Sequence, residues 1–181
     1  MDQIDREAFV ARYGGIYEHS PWVAERTLER GALPSFLTDG GRDPAGELRS
    51  RDEARALGSA LAATLARASP DERLALVRAH PDLVGRAALA GNLTDESTSE
   101  QASAGLDRCS PDELARFRAA NSAYRERFGF PFVMAVRGAE RQEILAAFER
   151  RLRNEPEAEL RTALVEIDRI AQLRLEALVA D

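Results

Sequence analysis

The tetrapeptide Ser-Pro-Asp-Glu occurs twice, as Ser69-Pro70-Asp71-Glu72 and as Ser110-Pro111-Asp112-Glu113. Each is a helix start. The serine oxygen can accept the backbone N–H three residues on, the glutamate can reach back to the serine N–H, and proline fits the first turn because its missing N–H has no partner there. Ser97-Thr98-Ser99-Glu100 repeats the serine-to-glutamate spacing and reads as a third box, leading to Leu106. Around these starts the helical pattern continues. Asp5 to Tyr13 and Pro21 to Arg30 read as short helices, the second with Ser20 as its cap, and Pro44 to about Ala68 reads as one long helix. The helix from Ser69 should end at His80, because Pro81 disfavours the α conformation in the residue before it. Gly85 to Ala90 reads as a short helical turn. The Ser110 box opens a helix to about Phe128, and Ala139 to Arg153 and Pro156 to Ala180 are strongly helical. Many helices with short connections imply an all-α, single-domain bundle of about eight helices over residues 1–181.

One stretch breaks the pattern. Phe130-Pro131-Phe132-Val133-Met134-Ala135-Val136 is strand-like, yet a lone strand leaves its backbone groups without ladder partners. An amide-rich ligand would satisfy them. A plain extended connector filling the core with Phe and Val is the preferred reading from the residues alone.

Several classes of function are excluded or disfavoured. All 25 basic residues are arginine, so Schiff-base catalysis and pyridoxal phosphate anchoring, which need a lysine amine, are ruled out. A net charge of −6 with no basic stripe argues against nucleic acid. No apolar run is long enough to span a bilayer, and the amino terminus lacks a signal-peptide pattern, so a cytoplasmic protein is expected. The single cysteine, Cys109, permits neither an intramolecular disulfide nor a multi-cysteine metal site. In its polar turn it reads as an incidental thiol.

Three residues carry candidate chemistry. His19 precedes a helix and reads as a surface histidine, whereas His80 is pinned between a helix end and Pro81. A helix C-terminus favours imidazolium, which suits a proton donor, although a histidine before proline is by itself more often structural. The two histidines fit no metal-ligand spacing, so no metal is expected. Glu100 has two readings: the reciprocal cap of Ser97, preferred from spacing, or a pocket residue beside an anion at the helix N-terminus. Arg174 lies near the apolar stripe Leu160, Leu164, Ile167, Ala171, Leu175 and Leu178, where an arginine requires an internal carboxylate or an anionic ligand. These two readings weigh equally.

Five segments occur in a telling order: Ala79-His80-Pro81-Asp82-Leu83; Leu93-Thr94-x-x-Ser97-x-x-Glu100-Gln101-x-x-Ala104-Gly105-Leu106; Asn121-x-x-Tyr124; Phe128-Gly129-Phe130-Pro131-Phe132; and Ile170-Ala171-x-Leu173-Arg174-Leu175. Together with His19-Ser20-Pro21-Trp22 they resemble the 2-oxo-4-hydroxy-4-carboxy-5-ureidoimidazoline (OHCU) decarboxylases of urate degradation. The resemblance implies an all-helical fold, usually a homodimer, and decarboxylation to (S)-allantoin without metal or organic cofactor. It implies catalytic roles for His80 and Glu100. It also implies substrate contacts from Pro81, Ser97, Thr98, Ser99, Glu100, Gln101, Phe132, Val133, Met134, Ala135, Val136 and Arg174. The rival expectations are an enzyme of the same fold acting on another ureide or hydantoin, and a non-catalytic helical module. The module reading requires that Arg174 pair with an internal carboxylate and that His80 face no pocket.

Overall fold

The structure is a computed structural model that describes residues 4–38, 43–84 and 93–179. Among these residues it contains helices and no strand. The helices are α1 (Arg6–Tyr13), α2 (Trp22–Glu29), α3 (Ser35–Thr38), α4 (Arg51–Ala66), α5 (Pro70–Arg78), α6 (Asp95–Ser103), α7 (Pro111–Phe128), α8 (Arg141–Arg151) and α9 (Pro156–Ala177), with a 3₁₀ turn at Leu106–Arg108. The all-α expectation holds. The expected turn over Gly85–Ala90 lies outside the described residues.

Both Ser-Pro-Asp-Glu boxes form as read, each with the serine accepting from N3 and the N3 glutamate accepting from the serine N–H. Three other starts differ. The helix expected from Pro44 begins at Arg51, because Ser50 accepts from Glu53 N–H and acidic Asp52 and Glu53 occupy the first turn. The residues before it hold turns and irregular backbone, and the stretch 32–44, which reads as a loop from its prolines and glycines, contains α3. α2 has Pro21, not Ser20, at its cap and no side-chain cap bond. α6 starts three residues early, capped by Thr94 and not by Ser97.

The chain packs as two compact units, Met1–Ala79 with Asp168–Asp181, and His80–Ile167. In the first, the core is built from Phe9, Tyr13, Val23, Leu37, Leu57, Leu61, Leu65 and Val77, together with Ala171 and Leu175 of α9. Polar groups enter it in pairs: Tyr13 donates to the Gly46 carbonyl at 2.6 Å, Tyr17 to Asp168 at 2.6 Å, and Thr27 to Thr64 at 2.8 Å. Gly58 lets α4 approach α9 closely, since a Cβ there would lie 2.2 Å from Gln172 Oε1.

In the second unit, Tyr124 of α7 is ringed by Phe128, Phe130, Phe132 and Phe148, largely edge-on. An ion pair lies at the heart of this cluster. Arg151 donates from Nε to Glu159 at 2.7 Å and from Nη1 to the Val133 carbonyl at 2.7 Å, with its guanidinium over the Phe132 ring. Tyr124 and Asn154 also donate to Glu159, which is fully buried. Three donors around one carboxylate meet the condition under which a buried charge is tolerated.

Candidate active site

His80 follows Ala79, the C-cap of α5, and is buried, 6% exposed. The helix therefore stops where Pro81 requires. Three side chains of the second unit hold the turn that follows. Arg125 Nε donates to both Asp82 carboxylate oxygens at 2.8 and 3.1 Å, Asn121 Nδ2 donates to the Leu83 carbonyl at 2.8 Å, and Gln101 Oε1 accepts the Val84 N–H at 3.0 Å.

The shifted start of α6 changes the reading of its residues. Thr94 Oγ1 accepts the Ser97 N–H, which makes Ser97 the N3 residue and leaves Glu100 in the second turn. The capping role preferred for Glu100 is thereby overturned, since an N3 position is needed to reach back to the cap. Ser97 and Gln101, four residues apart, are buried on one face with Glu100 half-buried beside them; Thr98 and Ser99 are exposed.

Residues 132–136 are extended without ladder partners, as the connector reading expected. Two of their backbone groups are held by side chains, and a third by a turn. Besides the Arg151 bond to Val133, Ala135 N–H donates to Glu166 at 2.8 Å, and the Val136 carbonyl accepts Ala139 N–H at 2.9 Å. Phe132, Val133, Ala135 and Val136 are buried and Met134 half-buried. His80, Pro81, the α6 residues and this connector all belong to the second unit; Arg174 belongs to the first.

Arg174 is 5% exposed, and its Nη2 lies 3.2 Å from Glu18 Oε2. Glu18 is equally buried, with Oε1 3.9 Å from the exposed His19. This pair is the internal carboxylate that the module reading required. Glu18 had gone unrecognised, as had Glu159 and Glu166, and only for Glu159 did the periodicity of α9 hold a signal. The buried line of α9 runs through Glu159, Ala163, Ile167, Ile170, Ala171, Arg174 and Leu175, while Leu160 and Leu164 are half-buried and Leu178 is exposed. The buried line keeps Ile167, Ala171 and Leu175 of the expected stripe and adds two charged residues, Glu159 and Arg174, each of which immediately precedes an expected leucine.

A cavity of about 440 Å³ bordered by Gly105, Arg108, Glu113, Glu140 and Arg141 contains none of the expected site residues. Its arginine is committed: Arg141 donates to Glu113 and to the Gly105 carbonyl, both at 3.0 Å. Burial pushes the nearby Cys109 thiol above its ordinary value, against a role as nucleophile. Among the described residues no group of three His, Cys, Asp or Glu side chains could hold a metal ion, and no helix is long and apolar enough to cross a membrane.

The chain is similar to proteins of one kind. It is 44% identical over 175 residues to 2-oxo-4-hydroxy-4-carboxy-5-ureidoimidazoline decarboxylase of Haloferax volcanii, covering 97% of this chain and 91% of that one. A crystal structure of (S)-allantoin synthase superposes with a TM-score of 0.67 at 31% identity, covering 97% of this chain and 50% of the other. A crystal structure of OHCU decarboxylase in the presence of (S)-allantoin shares the fold, with a TM-score of 0.59 at 23% identity over 86% of this chain and 92% of that one. The profile of the OHCU decarboxylase family matches residues 2–176, and the chain belongs to that family.

Proposed function

We propose that this decarboxylase acts on 2-oxo-4-hydroxy-4-carboxy-5-ureidoimidazoline through His80, with Ser97, Glu100, Gln101 and the connector 132–136 binding the substrate. The observation that carries the reading is the burial of His80 at the end of α5, on a turn fastened to α6 and α7.

The substrate has a carboxylate and a hydroxyl on one carbon, next to a carbon that bears the ureido group and a C=N bond. When the carboxylate leaves as CO2, its bonding pair forms a C=C bond to the ureido-bearing carbon. The C=N pair moves to nitrogen, which takes a proton. The resulting enol then accepts a proton at the ureido-bearing carbon from one face, and its hydroxyl loses a proton to become the carbonyl of (S)-allantoin. The substrate supplies its own electron sink, so the protein has to orient it, stabilise the developing charge and protonate one face. His80 donates that proton, directly or through water. Glu100 accepts ureido or ring N–H groups, and Ser97 binds a substrate oxygen.

The resemblance alone carries Pro81, Thr98, Ser99 and Arg174 as further substrate contacts, and it carries a homodimer; a cytoplasmic location rests on the sequence pattern of the amino terminus. The extended connector supports a backbone contact in a more limited form than expected from sequence, because Val133, Ala135 and Val136 each already have one backbone group bonded within the protein.

The reading is tested by following freshly made substrate by circular dichroism, since enzymatic (S)-allantoin is optically active and the spontaneous product is racemic. His80→Ala and His80→Asn should lower the enzymatic rate by about 100-fold or more, the scale of general acid catalysis, with unchanged melting temperature. Wild-type rates in either variant would sink the role given to His80.

A further inference from the structure

The turn after His80 is unusually constrained. Three consecutive residues, Asp82, Leu83 and Val84, are each bonded to a different side chain, Arg125, Asn121 and Gln101. Asn121 and Arg125 are four apart on α7, so both come from one face of that helix. Val84 adopts φ +52°, a left-handed conformation that is a genuine outlier for a β-branched residue. Such strain persists only where the surroundings over-determine it. Upstream, Pro81 locks its own φ. Little torsional freedom is left between the imidazole and the three anchors.

Asn121 adds a second sign. Donation to the Leu83 carbonyl settles its amide orientation, because that carbonyl requires a donor. Its Oδ1 is buried without a hydrogen-bond partner among the described residues. An amide kept in the core with half of its polar capacity unused is retained for its donor.

We propose that Asn121 and Arg125, with Gln101, are positioning residues for His80. By clamping residues 82–84 they fix where the imidazole presents its proton, and so which face of the enol is protonated. The proposal rests on the reading of His80 as proton donor. It also assigns the Gln101 carbonyl oxygen to the turn.

The test uses Arg125→Ala, Arg125→Lys and Asn121→Asp, the last retaining side-chain size but losing the donor. Arg125 is exposed, so its replacement leaves the core untouched. The readouts are kcat, KM and the enantiomeric excess of allantoin after subtraction of spontaneous product. Arg125→Ala should lower kcat about 3- to 10-fold and Asn121→Asp about 10-fold or more, with KM within about twofold, since small misplacements of a reacting group cost up to about 100-fold. Enantiomeric excess should fall in both and recover in Arg125→Lys. A merely destabilised enzyme would turn over less while still making pure (S) product. If His80→Ala is inactive but both variants keep wild-type kcat and full enantiomeric excess, the clamp is overturned and the role of His80 stands. If His80→Ala keeps its rate, the underlying reading is overturned. Should Asn121→Asp fail to fold, Arg125→Ala decides alone.

Discussion

Arg174 Nη2 and Glu18 Oε2 lie 3.2 Å apart, and both side chains are almost completely buried. Residues 156 positions apart in sequence thus form one charged element of the first unit. Removing one partner of such a pair strands the other charge, at a cost of about 3–5 kcal/mol. Glu18→Ala should lose stability on this scale in urea unfolding, and Glu18→Gln, which can still accept from the guanidinium, should lose less. Losses under about 1 kcal/mol in Glu18→Ala would assign the pair no structural weight.

The altered start of α6 separates four neighbouring residues by exposure. Ser97→Ala and Glu100→Gln should each lower kcat/KM about 10-fold or more, the scale of a lost hydrogen bond involving a charged group. Thr98→Ala and Ser99→Ala should stay within about twofold, because both side chains are exposed. Steady-state kinetics of the four variants check this, and equal losses in all four would contradict it.

Acid should weaken the first unit partly through Glu72. Its bond from the Arg26 guanidinium, then those from the Ser69 backbone N–H and hydroxyl, lower its carboxyl from the ordinary 4.5 to about 2. A carboxylate depressed by folding stabilises above its unfolded value and loses that contribution as pH falls through its folded value. Between pH 4.5 and about 2 the wild type should lose stability faster than Glu72→Gln, as read by melting temperature against pH.

Asp168 has the opposite sign. Burial raises its carboxyl above the ordinary 3.8, outweighing the bond from Tyr17. Its charged form is therefore penalised in the fold, and stability declines as pH rises from the ordinary value through the raised one. Asp168→Asn, whose amide oxygen still accepts from Tyr17, should flatten this decline in melting temperature. An unaltered slope would argue against it.

Where local chemistry decided structure, it could be read from the residues. Both Ser-Pro-Asp-Glu boxes formed because each supplies its own reciprocal bonds. α6 was misplaced because Thr94 and Ser97 are both competent caps, and the glutamate three beyond Ser97 pointed to the wrong one. Thr94 prevails with Asp95 and Glu96 in the first turn, where acidic groups complement the helix dipole. Glu18 and Glu166 were hidden for another reason. Their partners, Arg174 and the Ala135 N–H, lie far along the chain, and no periodicity reports a long-range bond.

The connector 132–136 is held by Arg151 and Glu166, which lie outside it. Its main-chain path is thus encoded in part elsewhere in the chain. Half-buried Met134 can therefore vary while the main chain keeps its course, whereas Phe132, Val133, Ala135 and Val136 stay restricted by the core they fill. Drift at position 151 or 166 would instead bend the connector without altering a letter of it. For anyone redesigning the substrate range, those two positions are the adjusting screws.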